Sequence, residues 1–126
     1  MKILLVEDDP GIRKALTDVL LRFDSSLEIE GVGNGDDALK RYLEGTYQLV
    51  ITDYAHPGMF GNELIDLIVA KHPSQPIILQ TGNYGKHIEA IAQKHRTIPF
   101  LEKPYPLQRL QDLVRECAKS GILGQN

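Results

Sequence analysis

Cysteine, long apolar runs and surplus positive charge are what this chain has least of, and each shortage closes a class of function. Cys117 is the one cysteine, so no internal disulfide can form and a reducing cytoplasm is the default expectation. The longest apolar runs are four or five residues, far short of the ~20 that a membrane-spanning helix needs. The start also lacks a basic stretch followed by an apolar segment and a cleavage site, so no membrane partner is expected. The formal net charge is −3 with no basic stripe, which gives no footing for direct contact with nucleic acid. Internal repeats, low-complexity tracts and linker-like composition shifts are missing too. What remains is a chain of 126 residues, enough for one domain around one core.

Short apolar runs alternate with helical patterns along its whole length. Ile3–Val6, Leu49–Thr52 and Ile77–Leu79 are continuous apolar runs of strand length, the sign of strands covered on both faces. Leu27–Glu30 alternates, as a half-covered edge strand does. Ile98–Leu101 carries Pro99, which also points to an edge. Between them run helical stripes. Ile12, Ala15, Leu16, Val19, Leu20 and Phe23 form the first, opened by Asp9 as N-cap and Pro10 as first helical residue. Ala38, Leu39, Tyr42 and Leu43 form the second. Leu64, Ile65, Ile68 and Val69 form the third, stopped at Pro73. Ile88, Ile91 and Ala92 form the fourth. Leu107, Leu110, Leu113, Val114 and Cys117 form the fifth, opened by Pro106. The pattern is (βα)5, an α/β doubly wound parallel sheet with helices on both faces. Buried first, third and fourth strands with edge-like second and fifth strands select the flavodoxin-like order 2-1-3-4-5.

In such sheets ligands sit beyond the carboxyl ends of the strands, at the switch point between the first and third. There the chain places Glu7 and Asp8 after the first strand, Asp53 after the third, Thr81 at the end of the fourth and Lys103 after the fifth. Two carboxylates ~5 Å apart at an effective dielectric near 20 repel by roughly 3 kcal/mol. Three of them call for a cation, and carboxylates with water and a phosphate group suit Mg²⁺. A carboxylate beside such an ion can attack phosphorus to give an aspartyl phosphate. The metal and a lysine would neutralise the charge spreading over the phosphoryl oxygens, and Thr81 could donate a hydrogen bond to one of them.

These segments resemble the receiver domain of two-component response regulators over residues 2 to about 118. "VEDD" resembles the family's acidic pair, Glu7 and Asp8. "ITDYAHPG" resembles its phosphoacceptor segment around Asp53. "LQTG" resembles its switch hydroxyl, Thr81, and "FLEKP" its switch aromatic, Phe100, with Lys103 and Pro104. The resemblance implies phosphoryl transfer from a sensor histidine kinase or phosphotransfer protein to Asp53. It implies Mg²⁺ held by Asp8, Asp53 and the backbone carbonyl of Ala55, with waters steadied by Glu7, and a cis bond before Pro104. It further implies a signalling output through the face of the fourth helix, fifth strand and fifth helix, to an effector or a phosphorylation-dependent homodimer. The domain on this reading is 1–118, with 119–126 ("KSGILGQN") a short mobile end. The start at Met1 favours a receiver at the beginning of its gene product, acting through partners or cut from a longer chain.

The sequence departs from the family pattern at His56, at Phe60 before Gly61, and at Arg96-Thr97 before the fifth strand. Ala55 and Asn83 occupy positions that in the family tune phosphoryl lifetime. Met59 and Phe60 are read either as a partner contact or as folded back on the third helix. Cys117 is read as packing, and His72, His87 and His95 as lacking ligand spacing. Two rival classes use similar residues. A haloacid-dehalogenase-type phosphatase also has an Asp nucleophile, a hydroxyl, a Lys and an acid pair, but there the acid pair comes last. Here it comes first, and Ala55 replaces the second Asp that turnover needs. A pseudo-receiver that only binds partners would not need Asp53, Thr81 and Lys103 together.

Overall fold

The computed structural model describes residues 1–55, 59–82 and 86–124, with backbone alone at 86 and 120–124. Strands β1 (Lys2–Val6), β2 (Glu28–Val32), β3 (Leu49–Asp53), β4 (Ile77–Thr81) and β5 (Phe100–Glu102) alternate with helices α1 (Pro10–Phe23), α2 (Gly35–Glu44), α3 (Gly61–Lys71), α4 (Lys86–Lys94) and α5 (Leu107–Gly124). All strand pairs are parallel and the order is β2-β1-β3-β4-β5. This is the doubly wound, flavodoxin-like α/β fold expected from the sequence.

Period-two alternation splits the core into two layers. Leu4, Val6, Val50, Ile77 and Leu79 point to one face, where they meet Ala38, Tyr42, Leu64, Ile68, Ile88 and Ile91 of α2, α3 and α4. Ile3, Leu5, Leu49, Ile51 and Ile78 point to the other, against Leu16, Leu20, Leu110, Leu113 and Val114 of α1 and α5. Strands β3 and β4 are buried at every residue, and β1 from its second. Each such Ile or Leu contributes roughly 1.5–3 kcal/mol, so these strands form a rigid platform for whatever follows their carboxyl ends. The helix start at Asp9 is as expected: its Oδ1 accepts from the N–H groups of Gly11 and Ile12 at 2.8 and 3.1 Å.

Several local expectations shift. Strand β2 starts at Glu28 and runs to Val32, and β5 starts only at Phe100, because Pro99 has no N–H to give the ladder. Ile12 is 45% exposed, and Leu43 and Leu107 are each 51% exposed. The periodic stripe is therefore wider than the buried one. Ile12 sits in the first turn of α1, beyond the sheet edge it would need for cover, and lines the cleft described below. The tail expected from residue 119 is helical as far as Gly124, because the α-helical ladder continues through Ala118 and Lys119 without a breaker. Cys117 packs against the α1/α5 layer as expected, and burial pushes its thiol up to about 11. Among the described residues, no helix is long and apolar enough to cross a membrane.

Candidate functional site

Strand ends build the site. Glu7 and Asp8 follow the last residue of β1, Asp53 is the last residue of β3, Thr81 the last of β4, and Lys103 follows the last of β5. With Ala55 they line a cleft of about 640 Å³, joined by Ile12, Gln80 and His87. All the site residues named from the sequence therefore share one cavity. Alternation also fixes their orientation: Glu7 continues the face of Ile3 and Leu5, and Asp53 that of Leu49 and Ile51, both toward the α1/α5 layer.

The acids are close and largely dry. Glu7 is 3% exposed and Asp53 6%, while Asp8 is exposed. One carboxylate oxygen from each of Glu7, Asp8 and Asp53 lies within 4.8 Å of the others. Lys103 Nζ reaches Asp53 Oδ1 at 2.7 Å and Glu7 Oε1 at 3.5 Å. The second contact is an ion pair rather than a well-formed hydrogen bond, and Glu7 Oε1 is buried without a hydrogen-bond partner. Burial, reinforced by Asp53, raises the Glu7 pKa above its ordinary 4.5. Burial works against the Lys103 ammonium, but the hydrogen bond and charge of Asp53, then the charge of Glu7, outweigh it and raise its pKa. One ammonium thus pairs with two carboxylates, Asp53 and Glu7, in a cluster of three. An all-oxygen donor set with an orphaned buried oxygen fits a hard divalent cation.

A stability prediction follows from Glu7. Its folded pKa lies above 4.5, so across the window from 4.5 upward to that raised value the folded chain binds more protons than the unfolded one. Stability must fall as pH rises through this window. In chelator, Glu7→Gln is expected to lose that decline and to be more stable than the parent at neutral pH. Urea denaturation of both chains at several pH values between about 4 and 8 checks it. Parallel pH profiles would contradict the buried, strained carboxylate.

Other residues hold the strand ends in place, and sequence reasoning missed them. Arg13 of α1 donates from Nη1 to the Glu7 carbonyl at 2.7 Å. Its stem crosses β2 at Gly31, where a Cβ would come within 2.9 Å of Arg13 Cδ. Gly61, the first residue of α3, donates its N–H to the Tyr54 carbonyl at 2.7 Å. Tyr105 donates its hydroxyl to Gln80 Oε1 at 2.8 Å. One of these was detectable: a Gln within the apolar run of a doubly covered strand needs a partner. Phe60 is 51% exposed and stacks on Tyr54 with ring centroids 6.0 Å apart, whereas Met59 packs against the core. Phe100 is half-buried against the same layer. The peptide bond before Pro104 is cis.

None of the described histidines joins the acid cluster, although His87 lines the same cleft. His95 Nε2 lies 2.7 Å from Asp66 Oδ1, and His72 packs edge-on to Tyr42. Among the described residues the one cluster of potential metal-ligating groups is Glu7, Asp8 and Asp53, with no histidine in it. His56 and Asn83 lie outside the described residues.

Comparison with known proteins agrees with this arrangement. A family model described as "Response regulator receiver domain" matches residues 3–115. The response regulator protein FleR of Pseudomonas aeruginosa is 36% identical over 124 residues, which cover 98% of this chain and 26% of FleR. The chemotaxis protein CheY of Listeria monocytogenes is 30% identical over 121 residues, covering 94% of this chain and 99% of CheY. This chain thus spans about a quarter of the first relative and nearly all of the second. A CheY-like response regulator receiver domain protein from Methanospirillum hungatei superposes with a TM-score of 0.88 at 21% identity, over 98% of this chain and 97% of that one; at that identity it shows the fold alone. With its acids, hydroxyl and lysine gathered at the strand ends of this fold, the chain belongs to the response regulator receiver domain family.

Proposed function

We propose that the chain is a phosphorylation-activated signalling switch whose phosphoacceptor is Asp53. The observation that carries this reading is the buried Asp53 carboxylate, 2.7 Å from the Lys103 ammonium at the mouth of an acid-lined cleft. An oxygen of Asp53 attacks phosphorus of a phosphohistidine on a sensor histidine kinase or phosphotransfer protein. A P–O bond forms as the P–N bond breaks, and the imidazole leaves with that electron pair. The Lys103 ammonium, freed from the carboxylate oxygen that becomes esterified, pairs with the phosphoryl oxygens. Thr81 supplies a hydroxyl hydrogen bond to them. Asp8, Asp53 and the Ala55 carbonyl would hold Mg²⁺, with Glu7 steadying its waters. When bound, Mg²⁺ supplies positive charge that offsets the acids and the incoming phosphoryl group.

On the same reading, movement of Thr81 and Lys103 toward the phosphoryl group changes the α4–β5–α5 face, which meets a downstream effector or a second copy of the chain. The functional domain is 1–118 and the setting cytoplasmic. Family membership and the relatives' names support a signalling role.

The test is incubation of the chain with acetyl phosphate and MgCl₂, followed by intact-mass and peptide mass spectrometry. One phosphoryl adduct on Asp53 is expected, and chelator should prevent it. A stable adduct on another residue, or continuous turnover of a generic phosphate ester, would overturn the assignment.

A further inference from the structure

Two polar side chains meet beside Asp53 on the α1/α5 face of the sheet. Gln80 stands next to last in β4 and is 2% exposed. It is the register partner of Asp53 on the neighbouring strand, and its alternation with Ile78 turns it to the same face. Tyr105 lies 25 residues further along, two past Lys103, and packs against the α1/α5 layer. Its hydroxyl donates to Gln80 Oε1 at 2.8 Å.

Neither contact is incidental to folding an apolar strand. An amide buried in a doubly covered strand is costly without a partner, and Tyr105 provides one. Burial, with the charges of Asp53 and Glu7 adding to it, pushes the Tyr105 phenol up to about 12. It therefore remains a donor across the working range of pH. The segment around Lys103 is also fastened where its backbone N–H donates to the Thr81 carbonyl at 2.7 Å. The two anchors lie on adjacent residues of β4 and on either side of the cis Lys103–Pro104 bond.

We infer that Tyr105 and Gln80 are positioning residues whose hydrogen bond sets the reach of Lys103 toward Asp53. The inference rests on the reading of Asp53 as phosphoacceptor. Lysine is a point charge on a flexible stem, so its backbone anchor decides where the ammonium spends its time. The Lys103 side chain is 32% exposed, and open solvent competes for it whenever the anchor loosens. Gln80 also flanks Asp53 directly, so a shift of its side chain alters the packing of the carboxylate.

The experiment follows phosphoryl labelling of the full chain by acetyl phosphate in MgCl₂, over a range of donor concentrations. Parent, Tyr105→Phe, Gln80→Met and the double variant are compared, with circular dichroism giving the folded fraction at the assay temperature. Each single variant is expected to lower the saturating rate per folded molecule roughly 3- to 10-fold, at an unchanged half-saturating donor concentration. The double variant should fall no further than the slower single, because both changes remove one bond. Tyr105→Phe keeps the ring and decides the matter alone where Gln80→Met fails to fold. A bond that served only stability would lower the melting temperature and leave these rates at the parent value, which overturns the inference. Losses that multiply in the double variant, or that appear only in the half-saturating concentration, overturn it too. A parent chain that takes no label overturns instead the reading of Asp53 as acceptor.

Discussion

Asp53→Asn is expected to abolish phosphoryl labelling while leaving the metal-free chain at least as stable as the parent. Loss of labelling follows because an amide is no nucleophile toward phosphorus at neutral pH. The stability result is less intuitive and comes from the charges around the residue. At an effective dielectric near 20, Lys103 at 2.7 Å attracts the Asp53 carboxylate by about 6 kcal/mol. Glu7 and Asp8, within 4.8 Å, each repel it by at least about 3.5 kcal/mol when ionised. The two sums nearly cancel. What remains is the cost of keeping a charge in a pocket where Asp53 is 6% exposed, and the substitution removes that cost. Lys103 keeps a partner in Glu7, 3.5 Å away. A gain of about 1 kcal/mol is expected in chelator. Mg²⁺ at ten times its dissociation constant should stabilise the parent by about 1.4 kcal/mol through linkage, and the variant by less, since a carboxylate is gone. Melting curves of both chains in chelator and in MgCl₂ check these signs. A variant less stable than the parent in chelator by more than about 1 kcal/mol, or one with an undiminished response to Mg²⁺, would mean that the three acids do not form a strained cation site.

Gly61→Ala is expected to cost about 2–3 kcal/mol, the largest stability loss among these substitutions. A Cβ at Gly61 would stand 2.6 Å from the Asp53 carbonyl oxygen and 2.8 Å from Tyr54 Cα. Both are backbone atoms at the end of β3, so no side-chain rotation relieves the clash. Either the first turn of α3 or the strand end must move. The gain in helix propensity of Ala over Gly, up to about 1 kcal/mol, recovers only part of this. For a chain of 126 residues the melting temperature should fall by roughly 8–12 °C. Asn62→Ala, one residue on, adds no atom against β3 and should stay within about 0.5 kcal/mol of the parent. Labelling of Gly61→Ala at a temperature where it is folded should also be slower, because the shift acts on the backbone of Asp53 itself. A melting temperature within about 2 °C of the parent would show that the strand end yields easily.

The Arg13 clamp, the Gly61 contact and the identity of the Gln80 partner could not be read in advance, although the fold, the acidic site and the need of Gln80 for some partner could. Strand runs and helical stripes are local: a buried strand must be apolar at every position, and an amphipathic helix must repeat every 3.6 residues. Once Ile3–Val6, Leu49–Thr52 and Ile77–Leu79 are recognised as covered on both faces, the strand order follows. So does the meeting of Glu7, Asp8, Asp53, Thr81 and Lys103 at one rim, since each ends or follows a strand. The sequence by itself therefore determined the architecture and the chemistry gathered at the switch point. Tertiary structure alone decided which members of a stripe are buried, because Ile12, Leu43 and Leu107 satisfy the period yet extend past the surface that would cover them. It alone decided, too, how the acids are held: by a guanidinium on the Glu7 carbonyl, a missing Cβ against Asp53, and a phenol on an amide 25 residues away. Such contacts join elements distant in the chain, and their distances depend on how whole layers pack, so no local pattern encodes them.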